Sequence, residues 1–67
     1  MNYGEVLLDF RAKHNLTQTQ LAELLGVTVF MVYRYEKCIS KPSMVNRIKF
    51  DYKMKEWEKE KNENSNN

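Results

Sequence analysis

Cysteine and histidine are almost missing from this chain, and each scarcity closes off a class of chemistry. Its 67 residues contain one cysteine, Cys38, and one histidine, His14. A lone cysteine closes no internal disulfide, and without further ligands at metal spacing neither residue founds a zinc site. No cofactor and no small-molecule ligand are expected. The N-terminal apolar run is only Val6-Leu7-Leu8, set between the acidic Glu5 and Asp9, too short for a signal peptide or a membrane span. The expected setting is a reducing cytoplasm, away from membranes. No carboxylate pair, nucleophile with a base, or metal cluster is legible, so catalysis is not expected.

What remains is an ordinary globular composition, 42% hydrophobic and 30% charged, in a chain near the lower size limit for folding without a metal or disulfides. Help from a partner chain fits that size. The net charge is only +2, but its distribution is uneven. Residues 28–49 carry Arg34, Lys37, Lys41, Arg47 and Lys49 against Glu36 alone, whereas residues 56–67 carry two lysines against four glutamates. A local basic patch of this kind suits a polyanion, and equally describes a solvated face with no partner.

The apolar residues recur at helical spacing. Tyr3, Val6, Leu7 and Phe10 share one face, predicting a helix over 3–13 that stops at Asn15, a residue tolerant of positive φ. Here His14 reads as an exposed helix-end residue whose cation would suit the helix C-terminus. Thr17 followed by Gln20 forms a capping box, so a second helix is predicted over 18–25, with Leu21, Ala22 and Leu25 on its inner stripe and Gly26 as its stop.

The next stretch, GVTVFMVYRYEK, taken alone resembles a buried strand. Yet a strand would be apolar on both faces, with no partner strand elsewhere in the chain. As a helix over 29–37 capped by Thr28, it places Met31, Val32 and Tyr35 on the core side with Thr28. Val29, Phe30, Tyr33, Arg34 and Lys37 then share the opposite side. That outer face is apolar at its start and cationic at its end.

After the connector 38–42, Ser43 can cap a helix over 44–61. Val45, Ile48 and Tyr52 make one apolar stripe, while Phe50, Met54 and Trp57 make another. Either one stripe closes the core and the other meets a partner, or the helix breaks near Asp51 and both pieces pack inward. The Phe50, Met54 and Trp57 stripe is the candidate dimer interface. Residues 62–67 read as a disordered polar tail, leaving residues 1–61 as one domain.

Two short helices joined by a glycine turn, with a helix before them and a basic connector after, make a helix-turn-helix. The run Leu16-Thr17-Gln18-Thr19-Gln20-Leu21-Ala22-Glu23-Leu24-Leu25-Gly26-Val27-Thr28 resembles the LTQxxLAxxLGVS pattern of the Cro/C1-type (XRE) helix-turn-helix family of phage and bacterial repressors. Val32-Tyr33-Arg34-Tyr35-Glu36 is similar to the family's IxxWE, and Lys41-Pro42-Ser43 to its KPS. The resemblance spans about Phe10 to Ser43 and implies a small all-α, four- to five-helix, lambda-repressor-like domain that binds double-stranded DNA as a homodimer.

It also implies roles. Val29, Phe30, Tyr33 and Arg34 match base-reading positions; apolar groups suit thymine methyls and arginine suits guanine. Gln18 is similar to a glutamine that meets a DNA phosphate and braces the start of the recognition helix. Thr28 matches the capping position near the DNA backbone, and Lys37, Lys41 and Asn46 are further backbone candidates. Arg11 and Glu36 match a pair that ties the first helix to the end of the third. Where the family often carries Asn-Gly after the glutamate, this chain has Lys37-Cys38, which puts Cys38 in a left-handed conformation at a cost of ~1 kcal/mol. Val29-Phe30 also replaces the family's usual polar readers, and its fifth helix has no evident counterpart.

The outer face admits a second reading. Val29, Phe30 and Tyr33 could dock on a protein partner, the helix-turn-helix scaffold being reused as an interaction module.

Overall fold

The computed structural model describes the backbone of residues 2–65 and the side chains of residues 2–61. It is all-α, with four helices in the order α1 (Tyr3–His14), α2 (Gln18–Leu25), α3 (Val29–Glu36) and α4 (Met44–Ser65).

Local side-chain chemistry accounts for each boundary. Asn2 opens α1 by accepting the Glu5 amide at 2.9 Å. At α2, the Thr17 hydroxyl accepts the Gln20 amide at 3.1 Å while the Gln20 side chain accepts the Thr17 amide at 2.9 Å, completing the capping box. Thr28 caps α3 through the Met31 amide at 3.2 Å, and Ser43 caps α4 through the Asn46 amide at 3.2 Å.

The first three helices close on residues with positive φ: Asn15 (55°), Gly26 (75°) and Cys38 (61°). In each closure the following residue's amide reaches back five positions, from Leu16 to Arg11, Val27 to Ala22 and Ile39 to Arg34, at 2.9–3.0 Å. This is the Schellman arrangement, which satisfies carbonyls that a helix end leaves open. Cys38 does so with a side chain where glycine would be unstrained.

The core draws on all four helices: Leu7 from α1; Leu21, Ala22 and Leu25 from α2; Val32 and Tyr35 from α3; Phe50 and Met54 from α4. Tyr3, Val6, Phe10, Leu24, Val27 and Met31 pack around it half-buried. Leu7, Leu21 and Val32 are fully enclosed, so truncating either leucine to alanine should cost about 2–5 kcal/mol.

Several sequence expectations are corrected. Phe50 and Met54 are core residues, 3% and 6% exposed, while Ile48 on the other stripe is 64% exposed. Trp57 is half-buried against Phe10, with ring centroids 5.7 Å apart. The stripe assigned to a dimer interface is thus the one that packs inward. Nor does α4 break near Asp51. Instead, the Asp51 carboxylate accepts the Tyr3 hydroxyl at 2.8 Å, and burial together with this bond pushes the phenol's pKa above its ordinary value.

His14 is not an exposed helix end. Its Nε2–H donates to the Glu58 carboxylate at 2.7 Å, and its ring lies 4.7 Å from Phe10 and 4.9 Å from Trp57. Helix α1 includes His14, while α3 stops at Glu36 with Lys37 as its cap. The backbone of 62–65, within the expected tail, is helical; the rest of that expectation lies outside the described residues.

Candidate nucleic-acid interface

The candidate site is built on the outer face of α3, and a buried polar knot sets the position of that helix. The Glu36 side chain is only 4% exposed. Arg11 meets it with two N–H donors, Nε to Oε2 at 2.7 Å and Nη2 to Oε1 at 2.9 Å, and Arg11 Nη1 also donates to the Leu16 carbonyl at 3.2 Å. Gln18 Nε2 donates to Glu36 Oε1 at 2.9 Å. One carboxylate therefore receives donors from α1 and α2 at the C-terminal end of α3. A buried charge is tolerable when its oxygens are satisfied this way.

This geometry alters one expectation. The Gln18 brace reaches the end of α3 rather than its start.

Gly4 brings α1 close against the same end. A Cβ at this position would run into the Tyr35 carbonyl oxygen and lie 3.3 Å from that of Glu36. Glycine is required here by close approach, a constraint that hydrophobic periodicity does not reveal.

With α3 fixed, its outer face is laid out as its spacing predicted. Val29, Phe30 and Tyr33 are exposed, Phe30 at 61%. Four residues after Phe30, the half-buried Arg34 places its guanidinium carbon 5.5 Å from the Phe30 ring centroid, a cation–π contact, and its Nε donates to Ser40 Oγ at 2.9 Å. Ser40 lies in the connector, and its contact with Arg34 carries no sequence signal beyond a hydroxyl six residues away.

The backbone candidates surround this face in sequence but differ in state. Lys37 and Lys41 are exposed and have no ion-pair partner among the described residues. Thr28 caps α3 and Asn46 sits in the first turn of α4, at helix N-termini whose dipoles favour anions. Gln18 is already engaged with Glu36. A cleft of about 330 Å³ runs behind the connector, lined by residues including Tyr3, Tyr35, Cys38, Lys41 and Arg47.

Among the described residues, no group of three or more His, Cys, Asp or Glu side chains could hold a metal ion. No described helix is long and apolar enough to cross a membrane.

Two short helices, α2 and α3, joined by the three-residue turn that Gly26 opens, with exposed side chains on the second and cations nearby, make a helix-turn-helix domain. The chain matches the family model described as helix-turn-helix over residues 7–49 and belongs to that family, of the XRE/Cro-C1 type. Membership suggests DNA-binding capability. Comparison with curated proteins finds no match, and neither does comparison with solved structures.

Proposed function

We propose that this protein is a sequence-specific, double-stranded DNA-binding transcriptional regulator that represses by occupying a promoter. The observation that carries this reading is the exposed outer face of α3, where Val29, Phe30 and Tyr33 precede Arg34. A core has no use for these rings, whereas a major groove offers thymine methyls to the apolar groups and guanine edges to the arginine. Lys37, Lys41 and the helix N-termini would supply sequence-independent phosphate contacts. The protein would work in the cytoplasm of a bacterium or phage-infected cell, and the resemblance to phage and bacterial repressors suits a phage or other mobile element.

A homodimer belongs to the same proposal. Val45, Ile48 and Tyr52 on α4 are each more than 60% exposed. A second copy is their proposed occupant, because an isologous pair matches the two-fold symmetry of an inverted-repeat operator. Ile48→Glu should turn a dimer into a monomer by sedimentation; a wild-type protein that is monomeric at high concentration removes this part of the proposal.

Selection of bound duplexes from a random library, with retesting at two salt concentrations, tests the DNA reading. An inverted repeat whose affinity falls steeply with salt supports it. No enrichment from folded protein would assign the Val29, Phe30 and Tyr33 face to a protein partner, whose apolar interface should be far less sensitive to salt.

A further inference from the structure

Ser40 grips residue 34 at both ends. Its backbone amide donates to the Arg34 carbonyl at 3.3 Å, beside that of Ile39 at 2.9 Å, and its hydroxyl accepts from Arg34 Nε at 2.9 Å. The left-handed turn at Cys38, φ 61°, brings the connector back to make these contacts. Phe30, one helical turn earlier, places its ring 5.5 Å from the guanidinium carbon. The Ser40 contacts belong to α3's C-terminal closure and the Phe30 contact lies along the face of α3, and neither needs DNA.

An arginine can present its donors in several ways. The Nε–H is the inner donor; the two Nη groups form the outer edge that pairs with guanine O6 and N7. Ser40 takes the inner donor and so does not compete for the outer edge, while Phe30 limits the tilt of the plane. A free arginine must lose much side-chain freedom on binding, and one already oriented loses less.

We propose that Ser40 and Phe30 are positioning residues that hold Arg34 ready to read one guanine through both terminal nitrogens. The inference rests on the DNA reading above. It assigns Ser40, which has no place at the DNA surface by helical spacing, an influence on specificity through Arg34 alone.

The test uses the duplex returned by the random-library selection, and the same duplex with 7-deazaguanine at each enriched guanine, which removes the N7 acceptor. Wild-type protein should bind the modified duplex more weakly at one position, and Arg34→Ala should abolish that difference. Ser40→Ala should weaken binding to the unmodified duplex by about threefold to tenfold, shrink the 7-deazaguanine difference, and leave the salt dependence unchanged. Ser40→Thr, which keeps the hydroxyl, should restore both. Circular dichroism confirms that each variant is folded.

Four results overturn the inference while leaving DNA binding intact. They are a Ser40→Ala protein with wild-type affinity and an intact 7-deazaguanine difference, a difference that survives Arg34→Ala, a selected motif without an enriched guanine, and a 7-deazaguanine duplex bound as well as the parent. In the last case, a shallower salt dependence for Arg34→Ala would place the guanidinium on a phosphate. Failure of the selection itself, with folded protein, overturns the DNA reading and this inference together.

Discussion

Helix α3 buries a charge at one end and exposes aromatic rings at the other, the reverse of what each residue type prefers. At the inner end, Glu36 is enclosed but receives donors from Arg11 and Gln18. At the outer end, Phe30 carries the Arg34 guanidinium over its ring and is 61% exposed. The inner end is complete within the chain; the outer end stays open to solvent. Under the proposed DNA reading, stability and recognition occupy different parts of one eight-residue helix.

The largest expected effect comes from breaking the inner end. Glu36→Ala leaves Arg11 without its anion and should cost ~3 kcal/mol or more, a large share of the roughly 3–10 kcal/mol that a domain of this length commands. Phe30→Ala should change stability by no more than ~0.5 kcal/mol while weakening DNA binding. Urea denaturation of both variants makes the comparison, and equal losses would mean that Phe30 belongs to the fold. Next, Gly4→Ala should destabilise by about 1–3 kcal/mol, because the new methyl forces α1 away from the Tyr35 carbonyl; an unchanged urea midpoint would show that the helices can part without cost.

At the outer end, Arg34→Ala should cost roughly 1–3 kcal/mol of binding and relax preference at one base position, while Lys41→Ala should weaken all sequences about equally. Titrations against the selected duplex and single-base variants distinguish the two. A smaller effect of opposite sign is expected at the joint between α3 and α4: Cys38→Gly relieves the side chain's left-handed strain of ~1 kcal/mol, less the extra freedom of an unfolded glycine, for a net gain of no more than about 0.5 kcal/mol. Thermal unfolding of this variant under reducing conditions measures the gain.

The smallest effect depends on pH. Hydrogen bonds from His14 and Lys13 hold the Glu58 carboxyl below its ordinary value of 4.5. The folded state then binds fewer protons there than the unfolded state, so the stabilisation is present above pH 4.5 and is lost as pH falls through the depressed folded value. Wild type and Glu58→Gln should differ in stability near neutrality and converge in acid, as thermal melts across that range would register.

Much of this fold was legible because its punctuation is local. Thr17 with Gln20, Thr28, Ser43, Asn15 and Gly26 mark helix ends by chemistry that spans no more than a few residues. The outward placement of Val29, Phe30 and Tyr33 followed from the 3.6-residue period once α3 was recognised as a helix.

The misread features depend on distant partners. Both stripes of α4 are apolar at helical spacing, so periodicity could not choose between Phe50 with Met54 and Val45 with Ile48; the docking of α4 on the other helices decides it. His14 finds Glu58 across 44 residues, and Asp51 finds Tyr3 across 48. Gly4 and Ser40 were missed because one matters for an absent Cβ and the other for a hydroxyl in a connector.

The tight closures at Asn15 and Gly26 bear on how quickly the molecule forms. The first three helices are separated by three residues each, 15–17 and 26–28, so assembling them closes no long loop and incurs little loop entropy. The docking of α4 joins the most distant parts of the chain, Asp51 to Tyr3 and Glu58 to His14. Helical proteins of such local topology fold in microseconds to milliseconds, and the expected course is a fast three-helix collapse completed when Phe50 and Met54 seat. Variants at Leu21 or Val32 should therefore slow folding, whereas Met54→Ala should chiefly hasten unfolding. The reverse pattern in stopped-flow traces would make α4 part of the nucleus, giving the helix with the most distant contacts the first role in forming the domain.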